Sequence, residues 1–234
     1  MASTGWNQLI QEVLTQLAQL PLFSSLSSNE LDEIARQSRP RNYCKGEWLA
    51  HYDESWMYLF WVEKGRIAAL KESSEGRSLI AATIVKQEIF WGVGFFHDNA
   101  PMPVGLFAEE ESKIRLWSRE QLLPYLLRDG EMAWELSRQM VTRMLQVSDV
   151  VDNLAFRAVP GRLANLLLDH YSGSGDKPVA RDMTLDQMAA HIGSTREMVC
   201  RALYKFADKG AIKINRTEFI LTDEDKLTDI AQRN

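Results

Sequence analysis

The chain has 234 residues, of which 45% are apolar and 25% charged, with a net charge of −5. That balance excludes a disordered tail protein, and no apolar run approaches the roughly 18–20 residues of a membrane span. Only Cys44 and Cys200 are present, too few for a disulfide framework. With no basic-then-apolar leader visible at Met1 to Trp6, the expected address is a reducing cytoplasm.

The first 38 residues read as helical, with Leu9, Val13, Leu14, Leu17 and Leu20 at helical spacing. Pro21 stops that helix, and Ser27-Ser28-Asn29-Glu30 can cap another carrying Leu31 and Ile34. From about Arg41 to Arg119 the pattern changes. Short aromatic and aliphatic runs, Trp48–Tyr52, Met57–Val62, Arg66–Leu70, Leu79–Val85, Leu106–Ala108 and Lys113–Trp117, alternate with Gly-containing turns. Strands at this spacing predict a β-sandwich or jelly roll. Residues 130–156 then predict one helix, roughly 40 Å long. Met140, Met144, Val147, Val151 and Leu154 follow +4, +3, +4, +3 steps along it, which is an a/d seam. Such a stripe needs a partner, either its own domain or a second copy of the chain. All seven Trp lie at or before residue 134, so the C-terminal third has a different core. The expected partition is 1–129, 130–157 and 158–234.

Pro160 and Gly161 break the long helix, Arg162 to Tyr171 forms the next, and Ser172 to Pro178 is a loop. Thr184-Leu-Asp-Gln187 is a capping box, and Ser194-Thr-Arg-Glu197 reads as a second one just after Gly193. Two short helices across a glycine turn make a helix-turn-helix, with the second helix ending at Gly210. Ala211–Ile214 and Glu218–Leu221 flank Asn215-Arg-Thr217 as a wing. Residues 158–234 are neutral, with eleven Lys/Arg and eleven Asp/Glu, so the whole −5 lies in residues 1–157. Within 188–217, however, six basic residues (Arg196, Arg201, Lys205, Lys209, Lys213, Arg216) face only Glu197 and Asp208. A local basic patch on an acidic body suits a protein that meets an anionic polymer at one place.

The first turns of a second helix of this kind enter the major groove. Here they carry Thr195, Arg196, Glu197 and, one turn on, Arg201. Arg can fork onto guanine O6/N7 and Glu can accept from cytosine N4, so the set suits a G·C-containing half-site. Glu197 can equally complete the capping box and pair with Arg201 at i,i+4. Lys213 and Arg216, on or beside the wing, are placed for phosphates.

Three stretches, Asn153-Leu-Ala-Phe-Arg-Ala-Val-Pro-Gly-Arg-Leu-Ala164, Met183–Gly193 and Ser194-Thr-Arg-Glu-Met-Val-Cys-Arg201, resemble the Crp–Fnr transcription regulators. Gly65 and Phe90–Phe96 resemble that family's β-roll. The resemblance covers nearly the whole chain. It implies an α+β protein with a cyclic-nucleotide-binding-like jelly roll, a long dimerisation helix and a C-terminal winged helix-turn-helix. It also implies double-stranded DNA and RNA polymerase as partners, homodimerisation, and an inverted repeat of TGTGA-like half-sites. Arg196, Glu197 and Arg201 match the base-reading residues of the catabolite activator branch.

The chain departs from that pattern in the sensor. Nucleotide-binding members carry a Glu for the ribose and an Arg followed by Ser or Thr for the cyclic phosphate. Gly92 or Val93 and Met102-Pro103 stand in those places. A buried phosphate with neither cation nor hydroxyl would be badly solvated, so cAMP is not expected as effector. Two Cys cannot hold an iron–sulfur cluster, and a haem iron would have only His51, His97 or, more weakly, Cys44. Trp61, Phe90, Trp91, Phe95, Phe96 and Met102, with Ser148 from the long helix, could line an apolar effector pocket or simply form the roll core. No P-loop, dinucleotide glycine pattern, zinc spacing or nucleophile elbow is present, so no enzyme is expected. The competing functional classes are a haem- or redox-based sensor regulator of the same fold and a β-roll module acting through protein partners.

Overall fold

The computed structural model describes residues 11–98, 100–173, 177–215 and 217–232. The N-terminal part is helical over residues 11–17, makes a 3₁₀ turn at Pro21–Phe23 and continues in α1 (Ser28–Gln37). Ser27 caps α1 in the expected box, its backbone N–H donating to Glu30 at 2.8 Å. Eight strands follow: β1 (Arg39–Tyr43), β2 (Trp48–Ala50), β3 (Tyr58–Lys64), β4 (Arg66–Glu72), β5 (Ser78–Val85), β6 (Ile89–Trp91), β7 (Gly105–Ala108) and β8 (Ser112–Ser118). They form two four-stranded sheets, β1-β8-β3-β6 and β2-β7-β4-β5. A short α2 (Val93–Phe96) lies between β6 and β7, and α3 (Arg119–Arg128) follows β8. The long helix α4 runs Gly130–Phe156, as the periodicity predicts.

Beyond it come α5 (Val159–Tyr171), β9 (Val179–Ala180), α6 (Leu185–Ile192), α7 (Arg196–Asp208), β10 (Ile212–Ile214), β11 (Glu218–Leu221) and α8 (Glu224–Gln232). Pro160 sits in the first turn of α5, where its missing N–H costs nothing, rather than ahead of the helix. The wing is a three-stranded sheet, β10-β11-β9, one strand more than the sequence pattern suggests. Val179–Ala180 is too short to carry a periodicity of its own.

The described chain forms two compact units. One comprises the described residues up to Ala69 with Ala82–Gln146; the other comprises Leu70–Ala81 with the described residues from Val147. The tip of the β4–β5 hairpin therefore belongs to the second unit. The first unit has two cores, separated by the sheet that β3 and β8 share. Period-2 alternation sends Leu59 and Trp61 to the helical side, among Phe23, Ile34, Trp117 and Leu122. Phe60 and Val62 point to the roll interior, among Ile67, Ile84, Leu106 and Ile114. The second unit is built on Leu163, Leu167, Met188, Val199, Leu203, Phe206, Phe219 and Leu227. Among the described residues no helix is long and apolar enough to cross a membrane.

Candidate DNA interface

Three local devices set α7, the second helix of the helix-turn-helix. Thr184 caps α6, its Oγ1 accepting from Gln187 N at 3.2 Å while Gln187 Oε1 accepts from Thr184 N at 2.8 Å. Gly193 ends α6 in the left-handed region at φ +59°, which glycine adopts without strain. Thr195 then starts α7, its Oγ1 accepting from Met198 N at 3.3 Å. The box expected from Ser194 does not form, because Thr195 is the cap. Glu197 is thus one position too early to reach back, and it pairs with Arg201 instead.

Burial turns α7 into a two-faced helix. Val199, Ala202, Leu203 and Phe206 are buried, while Arg196, Glu197, Arg201, Tyr204 and Lys205 are exposed. Arg196 Nη1 lies 3.1 Å from Asp186 Oδ2 of α6. Surface pairs of this kind contribute at most about 1 kcal/mol, so a base edge can displace them. Lys213 is exposed on β10, in register with Ile220 of β11. Arg216 lies outside the described residues. Asn215 Oδ1 organises the wing turn by accepting from Thr217 N at 2.9 Å and Glu218 N at 2.7 Å.

One residue that sequence reasoning missed orients this region. Arg162, near the start of α5, donates from Nε to Ile192 O at 2.8 Å and from Nη2 to Gly193 O at 3.5 Å. Its Nη1 donates to Arg157 O at 2.8 Å and to Asn153 O at 3.4 Å. A single guanidinium thus ties the last carbonyls of α4 to the turn that precedes α7. Helix C-termini carry orphan carbonyls and partial negative charge, which suits a cation there. Burial pulls its pKa down. Pro-Gly-Arg carries no signal for this, since two of the partners are backbone carbonyls 30 and 31 positions away. A cavity of about 680 Å³ adjoins the junction, lined by Asp149, Asp152, Arg157, Arg162, His191 and neighbouring residues.

Of the residues read as an effector pocket, Phe90, Trp91, Phe96 and Phe95 form a chain of ring contacts, with centroids 5.7, 6.2 and 5.0 Å apart, while the set as a whole is divided between two cores and the surface. Trp61 and Phe95 are buried on the helical side of the sheet, and Trp91 leans on the same cluster. Met102 is buried in the roll interior, and Phe90 packs against that second cluster. Phe96 and Ser148 are exposed. Alternation along β3 and β6 sets Trp61 and Trp91 against one core and Phe90 against the other, yet the Phe90 and Trp91 rings still stack at 5.7 Å.

Two places where the resemblance calls for cyclic-nucleotide ligands, Gly92 and Met102, are closed to them. A Cβ at Gly92 would stand 1.9 Å from Trp56 O and 2.4 Å from its Cδ1, so no carboxylate side chain can project there. Met102 fills the core, only 2% exposed, where a phosphate cation would be needed. Arg143 reaches Phe90 from α4, but its guanidinium is committed to Glu88 at 3.2 Å. The two histidines considered for haem are both exposed. His51 stacks on Trp48, and the His97 ring meets the Asp98 carbonyl at 3.2 Å.

A jelly roll, a long helix and a winged helix-turn-helix with its basic face exposed define a DNA-binding transcription regulator. Known proteins agree. The family model described as cyclic nucleotide-binding domain matches residues 40–129, and the Crp-like helix-turn-helix domain matches 161–230. A CRP-like cAMP-activated global transcriptional regulator of Mycobacterium tuberculosis is 22% identical, over 90% of this chain and 96% of its own. Among solved structures, a crp/fnr-family regulator from Eubacterium rectale superposes with TM-score 0.78 at 20% identity, covering 91% of this chain and 98% of its own. The c-di-GMP responsive regulator CLP of Xanthomonas campestris gives TM-score 0.73 at 19% identity, covering 84% and 99%. The chain belongs to the Crp–Fnr family of transcription regulators.

Proposed function

We propose that the protein is a cytoplasmic homodimeric regulator that reads an inverted repeat of TGTGA-like half-sites. In this reading residues 1–129 sense an effector other than cAMP, 130–157 dimerise and 158–234 bind DNA. The observation that carries it is the trio Arg196, Glu197 and Arg201. All three are exposed on the first two turns of α7, engaged only by weak surface pairs. Arg201 is the guanine-reading candidate, whereas Lys213 is a phosphate contact, and the two respond differently to mutation.

On a matched palindrome, Arg201→Ala costs roughly 1–3 kcal/mol per half-site and abolishes the preference for one G·C pair. Lys213→Ala weakens all sequences alike and lowers the salt slope by about one unit per contact. Gel shifts of wild type and both variants, on the palindrome and on one with that pair swapped to A·T, separate the two roles. If Arg201→Ala keeps full discrimination, Arg201 does not read bases and the half-site loses its main support.

A further inference from the structure

We infer that the roll carries an anion site on the inner face of β1 that takes a single-ring aromatic carboxylate. Strand alternation puts Arg39, Arg41 and Tyr43 on the same face of β1. Register sets Arg39 opposite Leu116, which in turn pairs with Phe60 of the roll interior. These residues, with Trp56 and Tyr58, line a cavity of about 200 Å³. Tyr43, Trp56 and Tyr58 also pack against the roll core, so the cavity lies beside it.

The Glu47 carboxylate is near enough to act on Tyr43, but it forms no ion pair with either arginine. Among the described residues neither Arg39 nor Arg41 has a carboxylate partner; the one hydrogen bond from either side chain runs from Arg41 Nη1 to the neighbouring Pro40 carbonyl at 3.3 Å. The nearby Glu47 is turned to the Cys44 N–H, accepting from it at 2.9 Å. Two guanidiniums two residues apart on one strand face repel each other, and a bound anion relieves both. Guanidinium forks match a carboxylate bidentately. The walls decide the rest of the ligand. Trp56 and Tyr58 meet edge-on at 5.3 Å between centroids, and Leu116 is buried beneath. Such walls favour a flat apolar body. The Tyr43 phenol, protonated at neutral pH like any tyrosine, offers an O–H donor at the cavity wall. The cavity lies below the roughly 300–1,000 Å³ of sites for drug-sized ligands, which excludes a nucleotide and leaves room for one ring.

The inference deepens the proposed sensing of an effector other than cAMP, and it rests on that reading only for its consequence at DNA. Its first test therefore uses no DNA. Calorimetry of the full-length protein at fixed ionic strength compares benzoate, phenyl phosphate, cyclohexanecarboxylate and the neutral benzamide. Benzoate should bind saturably, with benzamide and cyclohexanecarboxylate at least tenfold weaker. The double variant Arg39→Gln/Arg41→Gln should lose at least tenfold in benzoate affinity. Both side chains are exposed, so its tryptophan emission should remain that of the wild type and report intact folding. No saturable binding of benzoate or phenyl phosphate overturns the site, as does benzoate binding that the double variant leaves unchanged. Binding of phenyl phosphate alone overturns the carboxylate assignment. A gel shift on the palindrome with and without benzoate follows. A benzoate-dependent change in affinity that the double variant lacks supports the sensor role, and binding without such a change overturns that role alone. A failure to bind the palindrome in any condition counts against the DNA reading and not against the site.

Discussion

Asp182 shows how one side chain links the wing side of the C-terminal unit to the end of α5. Its Oδ1 accepts from the Tyr171 hydroxyl at 2.6 Å, and its Oδ2 lies 2.8 Å from His170 Nε2. Burial opposes its ionisation, but the hydrogen bonds from Tyr171 and His170 outweigh that and hold its pKa below the usual carboxylate range. The Tyr171 phenol is pushed up in turn, by burial first and by its bond to Asp182 second. A carboxylate with a depressed folded-state pKa contributes stability above its unfolded value of about 4, and that contribution is lost as pH falls through the folded pKa. Asp182→Asn should therefore lower stability at neutral pH, with the gap to wild type closing as pH falls below about 4. The effect is modest, because 59% of the Asp182 side chain is exposed and water screens the pair. Calorimetric melts of both proteins between neutral and strongly acidic pH provide the check. A gap that persists unchanged at low pH would mean that packing, not charge, holds this corner.

At the level of elements, legibility followed the strength of the local pattern. The long helix was readable because 27 residues repeat a single period, and α6 because Thr184 and Gln187 form a cap with its own signature. β1 was not, since Arg-Pro-Arg-Asn-Tyr has no apolar alternation; its pairing with β8 and not its composition makes it a strand. The aromatic residues of β3 and β6 were readable as buried but not as divided between two cores, because the direction of each depends on strand register. Arg162 was invisible for a related reason, as its acceptors are carbonyls brought together only by folding. The αL turn was legible, and its energetics can be tested by comparing two glycines. Gly193 and Gly210 both have positive φ, +59° and +67°. A Cβ at Gly193 would also stand 2.6 Å from Leu154 Cδ2 and 3.0 Å from Leu79 Cδ1, whereas one at Gly210 meets nothing within 4 Å. Gly210→Ala should cost only the backbone term, about 1–2 kcal/mol. Gly193→Ala should cost more, and it should weaken DNA binding because it moves the turn that aims α7. The seven Trp lie outside the C-terminal third, so far-ultraviolet circular dichroism rather than tryptophan emission should follow the unfolding. Equal losses for the two variants would show that Leu79 and Leu154 yield freely.

For the whole molecule the decisive question is what covers α4. Met132 and Leu136 near its start are buried in the first unit. Further along, Met144, Val147, Val151 and Leu154 are 63%, 48%, 56% and 37% exposed in the single chain. Helical geometry puts these four and Met140 within one stripe, so the described chain leaves about three turns of apolar seam facing water. A second copy packed in parallel along that stripe would bury it and would present two reading helices to an inverted repeat, one per half-site. Replacing Met144 and Val151 together with Asp puts four like charges into the symmetric seam. Self-association should weaken by at least about a hundredfold, roughly 3 kcal/mol. Thr142 lies on the opposite side of the helix, so Thr142→Asp should leave the dimer intact and serves as the control. Sedimentation equilibrium gives the masses, and a titration of the palindrome gives the consequence. The double variant should sediment as a folded monomer and bind the palindrome no more tightly than a single half-site. If it remains a dimer at the concentration where wild type does, the stripe is covered by something else, and the pairing of half-sites needs another origin.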